Sequence, residues 1–98
     1  MTIEEKVQTF IDLHTVGDDY PKAVWLCFDD YKALRLGLLD FYKERGKPPV
    51  TWDQEWVRKG HHGIGFSGAN CYLKEDAMPL PDTVEEIKQW QNIPPKEA

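Results

Sequence analysis

The sequence has few of the features on which membrane proteins and disulfide-stabilised secreted domains depend. It contains only two cysteines, Cys27 and Cys71, which stand 44 positions apart with apolar neighbours. Its longest uninterrupted apolar run, residues 23–28, is six residues long, whereas a membrane-spanning helix needs about twenty. The opening Met-Thr-Ile-Glu-Glu lacks the basic and apolar stretches of a secretion signal. We therefore expect a cytoplasmic protein with no membrane association and with both cysteines as buried, reduced thiols.

Positive charge is also scarce. Twelve Lys and Arg face seventeen Asp and Glu, which leaves a net charge of −5 at pH 7. A net negative charge disfavours attraction to a phosphate backbone, so we do not expect nucleic acid to be a partner. Only residues 20–62 are mildly basic, and a nucleic-acid interface there would need one shared surface for Lys43, Arg45, Lys47, Arg58 and Lys59.

The length and composition are those of one folded domain. The chain has 98 residues, of which 41% are hydrophobic, 12% aromatic and 30% charged. Disordered chains are poorer in aromatic residues, and two separate cores would each fall near the lower size limit for unaided folding. We expect a single globular domain over residues 1–98, too small to contain a complete dinucleotide-binding fold or a (β/α)₈ barrel.

Three segments have the form of a capping box, in which a Thr and an acidic or amide residue three positions later satisfy backbone groups at a helix start. They begin at Thr2, Thr51 and Thr83, and each predicts a helix. After Thr83, an apolar helix face is predicted from the spacing of Val84, Ile87 and Trp90.

Residues 21–45 permit two interpretations. The apolar run 23–28 predicts a buried strand, followed by a helix from Asp30 to Arg45 that ends at Gly46. One helix over the whole segment is the alternative, because apolar residues also recur there at alternating spacings of three and four. The first interpretation is favoured by the shortness of the apolar run.

Residues 61–74 predict a β-hairpin. Ile64 and Phe66 alternate with glycines, residues 67–70 form a turn, and Cys71 and Leu73 continue the alternation. The expected fold is therefore α+β: a small single domain of about four helices, with a mixed or antiparallel sheet of about three strands covered on one face. If residues 21–45 were one helix, the fold would be mostly α with one β-hairpin.

Two motifs of known binding and catalytic sites occur without their structural context. Gly63–Gly68 matches G-x-G-x-x-G, but no predicted helix follows it, as a phosphate site requires. Gly65–Ala69 lacks the last glycine of G-x-S-x-G, and all three histidines precede Ser67. We expect the glycines to serve turns or close backbone approaches, and Ser67 to be a turn residue.

Metal binding is not expected either. His61, His62, Cys27 and Cys71 are suitable zinc ligands by type. Structural zinc sites, however, pair their ligands as C-x₂₋₄-C or H-x₃₋₅-H, and neither spacing occurs. We expect no metal and no cofactor.

Aromatic residues provide the main positive indication of function. Trp52 and Trp56 are four positions apart in a predicted short helix, with Arg58 and His61 close by. Trp and Arg are enriched where proteins bind one another tightly, although two tryptophans also suit the core of a small domain. The composition favours a noncatalytic protein-binding module, that is, an accessory or inhibitory subunit that occupies a partner's surface. It is also compatible with a homo-oligomer.

The alternative is a small metal-dependent or ligand-binding enzyme. Its site would use His61 and His62 with a carboxylate such as Asp29 or Asp30. In that case we would expect activity to be lost when both histidines are replaced, with the fold preserved.

Overall fold

The computed structural model describes residues 1–46, 52–59 and 63–95. Four helices and three strands occur there, so the α+β expectation is confirmed. In chain order the elements are α1 (Ile3–Leu13), β1 (Ala23–Leu26), α2 (Phe28–Glu44), α3 (Gln54–Lys59), β2 (Ile64–Phe66), β3 (Ala69–Leu73) and α4 (Val84–Gln89).

Two of the predicted helix starts are confirmed. The Thr2 hydroxyl accepts a hydrogen bond from the Glu5 amide at 3.2 Å, and the Glu5 carboxylate accepts one from the Thr2 amide at 3.0 Å. The Thr83 hydroxyl accepts a hydrogen bond from the Glu86 amide at 3.3 Å. These bonds satisfy amide groups that have no partner inside a helix.

The start of α3 differs from the prediction. Asp53 caps the helix, because its side chain accepts a hydrogen bond from the Trp56 amide and its carbonyl accepts one from the Val57 amide, both at 2.9 Å. Thr51, the predicted cap, lies outside the described residues. The prediction that Trp52 lies in the helix with Trp56 is wrong, since Trp52 comes before the cap.

The alternative of one helix over residues 21–45 is also wrong. β1 pairs with β3 in parallel, with Val24 opposite Cys71 and Leu26 opposite Leu73. Val24 and Leu26 are completely buried on the same side of the strand. Pairing and burial of alternate residues are properties of a strand, and α2 begins only at Phe28.

The sheet has the order β1-β3-β2 and is mixed, since β2 runs antiparallel to β3. A two-residue turn joins β2 to β3, and both of its residues have positive φ, +52° at Ser67 and +84° at Gly68. The predicted four-residue turn was therefore too long, because residues 69 and 70 already belong to β3.

One core is shared by all the elements. Each helix and each strand contributes at least one buried apolar side chain to it. The radius of gyration is 13.3 Å, in agreement with the roughly 13 Å typical of this length. α4 buries Ile87 and is followed by buried Trp90, but the prediction for Val84 is wrong, because its side chain is 48% exposed. Within the described ranges, the helices are too short or too polar to cross a membrane.

The outer edge of β1 is closed by one side chain from the segment after α4. The Trp25 amide donates to Oδ1 of Asn92 at 2.9 Å, and Nδ2 of Asn92 donates to the Ala23 carbonyl at 2.8 Å. The Asn92 amide thereby provides the donor and acceptor that a fourth strand would offer at this position.

Candidate functional site

Three of the four residues predicted to bind a partner lie beside α2. Trp52, Trp56 and Arg58 each contact a side chain of that helix. The fourth, His61, lies outside the described residues. His62, which belongs to the enzyme alternative, also lies outside them.

Trp52 is half-buried and packs against the core. Its ring centre lies 5.9 Å from that of Phe28, and the Lys32 ammonium lies 5.6 Å from the ring centre. Much of this indole therefore serves packing, with a cation held over its ring.

Trp56 is the more exposed of the two indoles. Its side chain is 43% exposed, and the Arg35 guanidinium lies 5.4 Å from its ring centre. Arg35 is only 7% exposed and donates from Nη1 to the Tyr31 hydroxyl at 2.8 Å. Burial raises the pKa of the Tyr31 hydroxyl, an effect that the positive charge of Arg35 opposes. The Trp56 ring thus packs against the buried guanidinium of Arg35, which is held in position by its hydrogen bond to Tyr31.

Arg58 connects this region to the loop after β3. Its Nε donates to the Glu75 carboxylate at 2.6 Å, and its guanidinium lies 4.1 Å from the ring centre of Phe28. Both contacts fix the direction of the guanidinium plane. We use the term aromatic–cation surface for the set of Phe28, Lys32, Arg35, Trp52, Trp56 and Arg58.

Sequence reasoning missed the α2 half of this surface. Phe28, Lys32 and Arg35 follow one another at spacings of four and three, which places them on one face of α2. That spacing is visible in the sequence once residues 28–44 are known to be helical. The pattern of apolar residues does not reveal a mixed aromatic and basic stripe, however, because lysine and arginine are not part of that pattern.

The two carboxylates of the enzyme alternative, Asp29 and Asp30, both contribute to the structure around the start of α2. Asp29 is exposed in the first turn of α2, where negative charge suits the helix dipole. Asp30 is half-buried, and its Oδ2 accepts a hydrogen bond from the Leu80 amide at 2.8 Å, which ties the loop before α4 to α2. Over the described ranges, no three His, Cys, Asp or Glu residues are grouped as metal ligands.

The two cysteines are free thiols. Cys71 is completely buried, and burial raises its pKa to about 12. Cys27 is only half-buried, less than predicted, and burial raises its pKa also. Since the thiolate is the reactive form, neither environment activates a nucleophile.

The glycine motif lies in the hairpin. A strand, β3, follows Gly68 where a phosphate site requires a helix. Gly68 has the positive φ that the turn needs, and a Cβ at Gly63 would overlap the ring of Tyr72. The prediction that these glycines serve a turn or a close approach is confirmed for Gly68 and Gly63 but not for Gly65, where a Cβ would meet nothing within 4 Å. The turn position of Ser67 is confirmed.

Of the basic residues proposed for nucleic acid, Arg45 directly follows the end of α2, and Arg58 and Lys59 are the last two residues of α3. Arg45 stacks on Phe41, with its guanidinium 4.2 Å from the ring centre, while Arg58 stacks on Phe28. These two rings are thirteen residues apart in the helix, a separation of about 20 Å along its axis. The side chain of Lys43 and residue Lys47 lie outside what the structure describes.

Comparisons of the chain with protein-family models, with curated proteins and with solved structures find no match. The geometry of the surfaces is therefore the basis for a functional conclusion.

Proposed function

We propose that this chain is a noncatalytic protein-binding module that acts as an accessory or inhibitory subunit by covering part of a partner's surface. The contact would be made by the aromatic–cation surface. One observation carries the proposal: Trp56, 43% exposed, stands on the buried guanidinium of Arg35. An exposed indole whose position is fixed by a buried neighbouring side chain is typical of the residues that dominate binding energy at protein interfaces.

Preorganisation supports this role. Association costs about 0.5–1.5 kcal/mol for each flexible side chain that becomes immobilised. Arg35 is already held by the Tyr31 hydroxyl, and Arg58 is held by Glu75. When a partner packs against Trp56, little further conformational entropy is therefore lost by Arg35 and Arg58.

The chemistry of the surface defines a complementary partner. Trp56 would enter an apolar or aromatic pocket of the partner. The half-buried Lys32, whose ammonium lies over the Trp52 ring, would face a carboxylate at the rim of that pocket. A cytoplasmic protein is the expected partner class, and a second copy of this chain is an outcome that the experiment below distinguishes.

The test begins with the tagged full chain, purified from its native cells and analysed by mass spectrometry. Partners that remain at high salt are then measured against Trp56→Ala. We expect binding to weaken by at least ~2 kcal/mol, with a loss of folding stability below ~1 kcal/mol, because Trp56 is an exposed residue. Leu36→Ala is the matched control, since Leu36 is a 37% exposed apolar residue of α2 outside the surface.

Trp52→Ala provides the opposite case. Trp52 is half-buried and packs against the core, so its truncation should cost more stability than Trp56→Ala, near the lower end of the range of about 3–5 kcal/mol for a buried aromatic. Partner binding that is unchanged by Trp56→Ala would refute the proposal. Recovery of this chain alone, with no other protein, would assign the surface to a homo-oligomer instead.

A further inference from the structure

A groove lies beside β2 and is lined in part by the second half of α2. Its Phe41 points away from Lys32 of the aromatic–cation surface, since the two are nine residues apart at 100° per residue, whereas its Leu38 is three residues after Arg35 and lies nearer to that surface. The groove has a volume of about 510 Å³, and its lining includes Gly37, Leu38, Phe41 and Phe66. An adjoining depression of about 390 Å³, which shares Glu4 and Phe66, extends it along α1. We refer to the two together as the β2 groove.

The strand that borders this groove has an open edge. β2 is the last strand of the sheet and pairs only with β3 in the described part of the chain. Gly65 stands opposite Asn70, and the Asn70 amide donates in the other direction, to the Lys22 carbonyl at 2.9 Å. Asn70 and Gly65 are therefore a pair without mutual hydrogen bonds, and the N–H and C=O groups of Gly65 point away from the sheet.

The two edge strands of the sheet, β1 and β2, differ in whether their outward backbone groups have a described hydrogen-bond partner. At β1, the Asn92 amide satisfies the outward groups of Ala23 and Trp25. At β2, no described side chain is hydrogen-bonded to the outward groups of Gly65, and on the face of the sheet a Cβ at this glycine would meet nothing within 4 Å. Exposed strand edges bind other strands unless they are covered, charged or bent away. Among the described residues, the edge to which no side chain or strand is hydrogen-bonded is therefore the one beside the apolar groove.

The lining of the groove indicates what would bind there. Phe41 is 43% exposed and Phe66 is half-buried, so both offer apolar surface to an occupant. Glu4 and Glu5 add two carboxylates, of which that of Glu5 already accepts the Thr2 amide in the cap of α1. Met1 adds its ammonium group to the lining, and none of the described side chains there is Lys or Arg. The nearby cation Arg45, which directly follows the end of α2, is stacked on Phe41.

We propose that the β2 groove binds an extended segment of a partner protein, which adds to the sheet at β2 and carries alternating apolar and basic side chains. The segment's backbone would pair with Gly65, its apolar side chains would lie on Phe41 and Phe66, and its basic side chain would face Glu4. A second copy of this chain fits less well, because a symmetric pairing would bring the Glu4 carboxylates of both copies to one seam.

This inference does not depend on the aromatic–cation surface. The test selects binders of the immobilised full-length protein from a displayed library of random nine-residue peptides. We expect the selected peptides to alternate apolar residues with Lys or Arg. The affinity of the best peptide is then measured by fluorescence anisotropy, with Trp56→Ala as a variant that should bind it normally.

Three substitutions probe the three parts of the groove. Gly65→Pro removes the outward amide and should weaken binding at least tenfold; a proline is tolerated at an edge position whose N–H faces solvent. Phe41→Ala should weaken binding at least fivefold, and Glu4→Gln about threefold with a smaller dependence on salt. Leu36→Ala and Glu85→Gln, exposed residues outside the groove, are the matched controls and should bind as the parent protein does.

A second measurement needs no substitution. The Gly65 amide should exchange with solvent at least ten times more slowly in the peptide complex, because it becomes a hydrogen-bond donor. The proposal is overturned if selection yields no binder, if the selected peptides are acidic, or if Gly65 exchange is unchanged by binding. A dimer in sedimentation that disappears with Gly65→Pro would also overturn it, since the occupant would then be a second copy.

Discussion

Replacing Asn92 with alanine removes the side chain that closes the outer edge of β1. The amide group makes two hydrogen bonds there, one from the Trp25 amide at 2.9 Å and one to the Ala23 carbonyl at 2.8 Å. Both are partly buried and join positions 67 and 69 residues apart in the chain. Alanine leaves the two backbone groups of β1 without these partners.

The magnitude follows from the two bonds. Each intramolecular hydrogen bond contributes about 0.5–1.5 kcal/mol of net stability, and a buried group left unsatisfied costs about 1–3 kcal/mol. The groups lie at a strand edge that water reaches after the substitution, so the lower values apply. We expect Asn92→Ala to lower the free energy of unfolding by about 2 kcal/mol, which corresponds to a Tm lower by roughly 10 °C in a domain of this size.

Urea unfolding followed by tryptophan fluorescence measures this loss, and an unchanged m-value would show that the extent of unfolding is the same. Gln91→Ala is the matched control, because Gln91 is the exposed neighbour of Asn92 and should change stability by less than ~0.5 kcal/mol. Hydrogen exchange of the Trp25 amide should accelerate only in Asn92→Ala. A loss below ~0.5 kcal/mol, with Trp25 exchange unaltered, would refute the assignment of Asn92 as the closing residue.

Asn92→Asp separates the donor from the acceptor. The carboxylate can still accept from the Trp25 amide but meets the Ala23 carbonyl with negative charge. Its protonated form can donate to that carbonyl, so folding should raise the pKa of the new carboxyl above its unfolded value of ~3.9. The stabilisation is then complete below that value and lost as pH rises through the folded pKa. Relative to Asn92→Ala, this variant should gain stability as the pH is lowered, and a parallel pH dependence would contradict the reasoning.

Three further predictions concern local features. A hydrogen bond from the Thr2 amide lowers the pKa of Glu5 below 4.5, so its stabilisation is present above that pH and lost as pH falls; Glu5→Gln should make the acid-induced loss of unfolding free energy shallower. Ser67 has φ of +52°, so Ser67→Asn should raise stability by about 0.5 kcal/mol in thermal unfolding and Ser67→Val should lower it. Cys71, with its pKa of about 12, should react with a thiol reagent more slowly than Cys27 in the folded protein and equally fast in urea; the reverse order would contradict the burial assigned to the two thiols.

Much of the fold could be predicted from the sequence, because many of its signals act over a few residues. The cap at Thr2 and the turn at Ser67 depend on groups within three positions of each other. The error at Thr51 has the same local origin: Thr51 and Asp53 are both good helix caps, and pattern alone does not choose between them.

The candidate site was predicted only in part. The sequence singled out Trp52, Trp56 and Arg58 as residue types suited to binding. It did not indicate that Trp56 would pack against Arg35 of α2, because that contact requires α3 to lie beside α2. The two residues are 21 positions apart in the chain. Exposure of Val84 was missed for a similar reason, since apolar periodicity does not show how far a neighbouring element extends.

The sequence by itself determined an α+β domain with short-range caps and a two-strand hairpin, because backbone conformation and helix capping respond to adjacent residues. For residues 21–45 the sequence favoured a strand and a helix but also permitted one long helix, and only the pairing of Val24 with Cys71 and of Leu26 with Leu73 decided between them. Tertiary structure also decided that Asn92 closes the β1 edge, whereas β2 pairs only with β3 among the described residues. Such contacts join residues more than forty positions apart, and only the folded arrangement of the whole chain specifies which of them form.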